Sequence, residues 1–277
     1  PSCRRRAPLL MLATTLRAVH RSAASVPSGA RATGLLRALS TQPTNARRPL
    51  PQSDFHELRE RSLLQYVISE SKEGDPDSVT TAMDTFWDTY FNGEGTDEWQ
   101  LRVSALDQAI SSKKPQTAME IGTYCGYTAV RIGRLLPEGS KLISVEMDPL
   151  FAAIATKVVE HAGLGDRVSI EIGTVKTKLA AIQAKYGLTK PLDAVLLDHE
   201  VASYLPDLQL LESEGLVTKG TAVLCDWSLY PGSDGITQAP TDGKDFMEYM
   251  SKAGGPTARH SLREKEVFTV GEWGGVI

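Results

Sequence analysis

The chain has 277 residues and a formal net charge of −4, and 41% of its residues are hydrophobic, as in an ordinary soluble protein. Nine arginines precede the first acidic residue, Asp54, so residues 1–53 carry +9 and residues 54–277 carry −13. An acidic folded region disfavours a nucleic-acid partner. No apolar run reaches the roughly 20 residues that span a bilayer, and three cysteines without metal-ligand spacing imply no disulfide framework.

The first 53 residues combine their arginines with many Ala, Ser, Thr and Leu, which is typical of an organelle-targeting presequence. Three prolines and paired arginines within residues 43–51 indicate a linker. We therefore predict that residues 1–53 are disordered or cleaved, with the mitochondrion as the first destination and the plastid as the alternative. The competing interpretation is a disordered basic arm that contacts nucleic acid or lipid.

The remaining residues, 54–277, predict one α/β domain. Three helices come first, over 54–71, 79–90 and 98–111, because their apolar residues recur at helical spacing. From Thr117 strands and helices alternate, which is typical of a mostly parallel sheet covered on both faces. We expect strands at 118–121, 142–145, 168–172, 194–197 and 222–225, with helices at 128–136, 150–162, 177–186 and 205–214. Two short strands, 259–262 and 267–270, should form an antiparallel pair at the sheet edge.

A glycine-containing turn from Met119 to Thr128 follows the first predicted strand and opens a helix, an arrangement that binds nucleotide-like cofactors. Gly122 permits a tight turn, and Gly126 lets the helix start close to the strand. Glu146 ends the next strand, where an acidic side chain can accept both ribose hydroxyls. Because neither a Gly-x-Gly-x-x-Gly nor a Gly-Lys-Ser/Thr motif is present, a cofactor without phosphate fits better, and S-adenosylmethionine is one.

Two aspartates, Asp198 and Asp226, end strands that we expect to be neighbours. In a parallel sheet, ligands bind outside the carboxyl ends of the strands. Carboxylate oxygens are the hard ligands that Mg²⁺ prefers, so the pair predicts a magnesium site, although a lone aspartate in such a place is more often a helix cap.

These motifs resemble those of the catechol O-methyltransferase family. The resemblance covers about residues 63–271 and includes the stretches 120–131, 135–146, 196–199, 204–212 and 230–232. It implies a Rossmann-like class I methyltransferase with a seven-strand sheet, S-adenosylmethionine as cofactor, and Mg²⁺-dependent methyl transfer to one hydroxyl of a catechol.

The resemblance also implies roles for individual residues. Metal ligands would be Asp198 and Asp226, and Glu264 would hold the second catechol hydroxyl. The residues that would bind the cofactor are Glu120, Gly122, Tyr124, Gly126, Thr128, Glu146, Met147, Gly173 and Asp198.

Two departures from the family pattern affect the acceptor site. Where the family has its proton-accepting lysine, this chain has Val201, which cannot accept a proton. Where the family has an asparagine ligand, this chain has Trp227, whose indole N–H can only donate. His199 or Glu200 is then the candidate substitute base.

Three functions remain open at the level of the sequence. The first is an organellar O-methyltransferase acting on a small catechol-like or other hydroxylated compound, assisted by Mg²⁺. The second is a catalytically impaired relative that serves as a scaffold or accessory subunit in an organellar complex. The third, a methyltransferase for macromolecules, is disfavoured by the acidic domain.

Overall fold

The structure, a computed structural model, describes residues 56–90, 96–227, 243–253, 256–262 and 265–274. All of them belong to one compact unit, Pro49–Ile277. The proposed presequence, the linker, the boundary after residue 53 and Glu264 lie outside the described residues. Within them, no helix has both the length and the apolar character needed to cross a membrane.

Three helices precede the sheet: α1 (His56–Glu70), α2 (Pro76–Tyr90) and α3 (Thr96–Lys113). All three occupy the regions predicted from helical spacing. Helix α2 begins three residues before its predicted start because Pro76 suits the first turn of a helix, where no backbone N–H is needed.

Seven strands form one sheet in the order β3-β2-β1-β4-β5-β7-β6. The strands are β1 (Thr117–Ile121), β2 (Lys141–Glu146), β3 (Val168–Ile172), β4 (Ala194–Leu197), β5 (Ala222–Asp226), β6 (Pro256–Leu262) and β7 (Lys265–Glu272). The first five are parallel, and β7 runs antiparallel to both β5 and β6. The predicted seven-strand sheet with its C-terminal antiparallel pair is confirmed.

Five helices alternate with or follow the parallel strands. They are α4 (Tyr127–Leu135), α5 (Pro149–His161), α6 (Val175–Tyr186), α7 (Tyr204–Ser213) and α8 (Lys244–Lys252). The sequence did not predict α8, which has a single turn of apolar spacing, Phe246 to Met250, with both side chains buried.

The core has two apolar layers, one on each face of the sheet. Alternate residues of each strand point to opposite faces, so Leu196 packs with α1–α5 and Leu197 with α6–α8. Both faces of the sheet are therefore covered, which explains why the strands read as continuous apolar runs.

Strand β1 is the middle one of the five parallel strands, with β2 on one side and β4 on the other. The chain therefore reverses its direction of winding at β1, which opens a crevice at the carboxyl ends of these strands. Gly122, the first residue after β1, has φ +92°, and a Cβ atom there would lie 2.2 Å from the Asp198 carbonyl oxygen. This close approach holds the turn against the end of β4.

Glu120 is a fully buried acid in the middle of the sheet. Ser144 on β2 donates a hydrogen bond to Glu120 Oε2, while Oε1 has no hydrogen-bond partner. Burial raises the pKa of Glu120 to about 8, and the nearby Asp198 charge adds to the shift, against the opposing effect of the Ser144 hydrogen bond. The side chain is thus more readily protonated in the folded protein than in the unfolded chain.

We expect Gly122→Ala to lower the free energy of unfolding by about 2–5 kcal/mol, from left-handed backbone strain and displacement of the Asp198 carbonyl. Gly139→Ala is the matched control, because Gly139 also has a positive φ, +77°, but nothing lies within 4 Å of its added Cβ. It should lose only about 1–2 kcal/mol. Urea unfolding of the full chain measures both, and equal losses would refute the close-approach argument.

We expect the wild-type protein to lose stability relative to Glu120→Gln as the pH rises. A folded pKa of about 8 against an ordinary value of 4.5 means that the folded state binds the extra proton between these values. The contribution of Glu120 to the free energy of unfolding is then fully present below pH 4.5 and is lost as the pH rises through 8. Urea unfolding at pH 5, 6, 7 and 8.5 measures the difference, and a pH-independent difference contradicts the assignment.

Candidate functional site

A cavity of about 650 Å³ opens at the carboxyl ends of β1, β2 and β4. Helices α1, α2 and α3 form its opposite wall. Lining residues named in the sequence predictions are Gly122, Tyr124, Thr128, Glu146, Met147, Asp198, His199 and Glu200. One cavity therefore brings together six of the nine predicted cofactor residues with both candidate bases, and one of the six, Asp198, is also a predicted metal ligand. Its volume is typical of small-molecule sites.

The turn after β1 forms one side of the cavity and leads into α4. Tyr124 adopts a left-handed backbone conformation with φ 49°. Its hydroxyl donates to Glu60 Oε1, and its ring packs edge-on against Phe151 with 5.0 Å between centroids. The left-handed turn places Tyr124 between α1 and α5, so its side chain is held from both sides.

Glu146 connects the turns that follow β1 and β2. Its Oε2 accepts hydrogen bonds from the backbone N–H groups of Thr123, at 3.2 Å, and Tyr124, at 2.8 Å. Its Oε1 accepts one from the N–H of Asp148 at 2.8 Å. A carboxylate offers about four lone-pair sites, so Glu146 keeps acceptor capacity for a ligand beyond these three bonds.

The other predicted cofactor residues divide into two groups. Met147 lines the cavity with 74% of its surface exposed, an unusual state for a large apolar side chain. Glu120, Gly126 and Gly173 do not line the cavity. Glu120 lies beneath it in the sheet. A Cβ atom added to Gly126 would lie 3.1 Å from Cα of Ala155 in α5. One added to Gly173 would lie 2.7 Å from Cγ of Lys178.

Arg102 of α3 lies between the two predicted metal ligands. Its Nε donates to Asp226 Oδ2, and its Nη2 donates to Asp198 Oδ2 at 2.7 Å. Nη2 also donates to Thr128 Oγ1 at 3.1 Å. The side chain of Arg102 is 6% exposed, and those of Asp226 and Asp198 are 1% and 19% exposed. A buried guanidinium therefore joins the ends of β4 and β5.

The charges of this cluster shift each other's proton affinity. Burial by itself lowers the pKa of Arg102, but the attraction of Asp226 and Asp198 outweighs it, so the net pKa is raised. Burial and the neighbouring Asp226 charge raise the pKa of Asp198, against the opposing effect of Arg102. The arginine stays charged and serves as the counter-ion of both aspartates.

This donor set does not fit the predicted magnesium site. Both carboxylates are already paired with a cation, and Trp227 Nε1 donates to Thr269 Oγ1 at 2.8 Å. Across the described part of the chain, no group of three or more His, Cys, Asp and Glu side chains is placed to hold a metal. Trp227 is not among the residues that line the cavity, and its ring packs in the core against Tyr204 and Phe246.

The two candidate bases differ in their surroundings. His199 Nε2 lies 3.1 Å from Asp207 Oδ2, so a carboxylate orients the ring. In the tautomer in which Nε2 carries the proton, Nδ1 is a buried acceptor without a partner. Glu200 is exposed, and Val201, in place of the lysine, is a buried core residue.

Sequence reasoning missed Arg102 and Asp207. Arg102 falls on the apolar face of α3, three and four residues before Ala105 and Leu106, which are both buried. A cation on a buried helical face needs a counter-ion, so this pattern could have predicted an acidic partner for Arg102. Asp207 carried no such signal, because it lies in the first turn of α7, where acids are common.

A family model described as O-methyltransferase matches residues 103–250, a little over half of the chain. The catechol O-methyltransferases of Bos taurus and Mus musculus are 37% and 39% identical over 197 residues. The matched segment is 69% of this chain and about two thirds, 66% and 68%, of these relatives. A methyltransferase from Podospora anserina, solved with S-adenosylhomocysteine, is 19% identical with a TM-score of 0.52 over 80% of this chain and 97% of the other.

The matched fold neighbour supports the Rossmann-like methyltransferase architecture, and the matched relatives are named O-methyltransferases, as the sequence led us to expect. The order of the seven strands and the cavity at their carboxyl ends agree with that class. The chain belongs to the O-methyltransferase family and is similar to its catechol O-methyltransferases.

Proposed function

We propose that this protein transfers a methyl group from S-adenosylmethionine to a hydroxyl of a small, catechol-like aromatic compound. The observation that carries the proposal is the single cavity that contains Glu146 and Met147 as well as Asp198 and His199. Cofactor-type and acceptor-type residues thus share one enclosed space. The names of the related proteins support the choice of a catechol-like acceptor.

The cofactor half of the cavity suits a nucleoside. Glu146 supplies carboxylate acceptor sites of the kind that bind ribose hydroxyls. Met147 offers an exposed apolar surface for an adenine ring. When bound, S-adenosylmethionine supplies a methyl group on a positively charged sulfur. Five residues near the first turn of α4 line the cavity and would hold the remaining part of the cofactor: Thr123, Tyr124, Cys125, Tyr127 and Thr128.

The acceptor half must orient an oxygen and remove its proton. The new O–C bond forms from an oxygen lone pair as the S–C bond breaks, its electrons staying on sulfur, and the hydroxyl proton leaves to a base. His199, oriented by Asp207, is the base that we propose. Trp99 and Trp87 add aromatic walls for a flat acceptor.

Two further proposals concern the setting of the reaction. The arginine-rich leader supports a mitochondrial destination, with the plastid as the alternative. Loss of the lysine and the asparagine would also suit a cofactor-binding accessory subunit of an organellar complex. Turnover measurements separate that function from the enzyme.

We expect Glu146→Ala to weaken binding of S-adenosylmethionine at least tenfold, because charge-assisted hydrogen bonds contribute about 1.5–3 kcal/mol. Glu171→Ala is the matched control: Glu171 also lies near the carboxyl end of a parallel strand, β3, but pairs with Lys185 away from the cavity. Isothermal titration calorimetry on the full chain measures both affinities. Unchanged affinity in Glu146→Ala would remove Glu146 from the cofactor site.

We expect His199→Gln to lower kcat by about 10²- to 10⁴-fold, the usual loss when a general base is removed, with cofactor affinity unchanged. Glu200→Gln should have a small effect, and the reverse order would move the base to Glu200. Transfer of labelled methyl groups to a panel of catechols and monophenols is the assay. Tight cofactor binding without turnover on any acceptor would favour the accessory function.

A further inference from the structure

We propose that the guanidinium of Arg102 is the resident cation of the acceptor site, occupying the place between Asp198 and Asp226 where related sites would hold a divalent metal ion. The protein then binds no Mg²⁺ at these two aspartates. The cation-binding part of this inference stands on the geometry alone. Its catalytic consequence rests on the proposed function.

The contacts of Arg102 account for the charge that a metal ion would otherwise neutralise. One planar group contacts Oδ2 of both aspartates through two different nitrogens, Nε and Nη2. The Arg102 and Asp226 side chains are almost completely buried. Two carboxylates with no cation between them would repel each other in such a site, and the guanidinium lies where a metal ion would otherwise offset that repulsion.

A metal ion could enter only if Arg102 left. Mg²⁺ requires six oxygen ligands in a nearly ideal octahedron and would repel a guanidinium in contact with the same oxygens. Trp99 holds Arg102 from the other side, with the guanidinium carbon 4.7 Å from the ring centroid. Trp99 itself is fixed, because its Nε1 donates to Asp84 Oδ1 at 2.9 Å.

Arg102 also has donor capacity left for an acceptor molecule. Among the described residues its Nη1 makes no hydrogen bond, and the side chain lines the cavity. Guanidinium groups carry five N–H donors in a fixed plane. We therefore assign to Arg102 a positioning role, in which Nη1 donates to the oxygen of the acceptor.

The experiment measures Mn²⁺ binding to the full chain by electron paramagnetic resonance, with Mn²⁺ as the probe for a divalent site. We compare the wild type with Asp226→Asn, Arg102→Met and the control Arg131→Met. Arg131 is also a poorly exposed arginine, paired with Asp107 on another helix. The wild type and Asp226→Asn should bind Mn²⁺ equally weakly. Arg102→Met should gain one site, with affinity at least 100-fold above wild type, and Arg131→Met should gain none.

Two results would overturn the proposal. One is a wild-type Mn²⁺ site that disappears in Asp226→Asn, and the other is a folded Arg102→Met variant that gains no site. If Arg102→Met does not fold, the comparison of wild type with Asp226→Asn decides alone.

A second measurement tests the catalytic consequence. Methyl transfer by the wild type should change less than twofold on addition of EDTA or of Mg²⁺, and Arg102→Lys should raise KM for the acceptor without weakening cofactor binding. Abolition of turnover by EDTA would overturn the inference. Absence of any methyl transfer contradicts only the proposed function, because the Mn²⁺ measurement does not depend on turnover.

Discussion

The ion pairs of Arg102 with Asp198 and Asp226 are the interaction on which the acceptor side of this molecule depends. Helix α3 brings the arginine from a region far earlier in the chain to the ends of two neighbouring strands. Removing one member of a buried ion pair typically destabilises a protein by about 3–5 kcal/mol, because the remaining charge is left uncompensated. The position of α3 and the arrangement of the two aspartates therefore depend on each other, and Arg102 and Asp198 both line the cavity.

Glu146 performs the corresponding task on the cofactor side. Its carboxylate accepts three backbone hydrogen bonds from two separate turns, those after β1 and β2. The same carboxylate is thus a structural brace and the candidate ribose acceptor. Each half of the cavity is organised around one charged side chain, of opposite sign in the two halves. A ligand that carries a positive sulfonium meets a site whose turns are already held in place by a negative charge.

Much of this arrangement could be predicted from local patterns. The apolar runs located all seven strands, and the residues at their carboxyl ends located the cavity. The limits of this reasoning have physical causes. The resemblance implies Gly126 and Gly173 as cofactor residues, but local sequence does not show which atoms lie beside a glycine; here they are those of Ala155 and Lys178. No local pattern connects Arg102 with Asp226, 124 positions later.

The acceptor site lacks the lysine and the asparagine of the family pattern, and the roles that we propose for Arg102 and His199 are consistent with both differences. A guanidinium carries one positive charge where Mg²⁺ carries two, and it donates hydrogen bonds instead of coordinating an oxygen. It can orient an acceptor oxygen, but it lowers the pKa of a hydroxyl less than a directly bound metal ion does. In the proposed reaction the proton must therefore leave to a side-chain base, and His199 with Asp207 is the oriented pair that lines the cavity. In this proposal, Arg102 in the metal's place and His199 as the base therefore depend on each other.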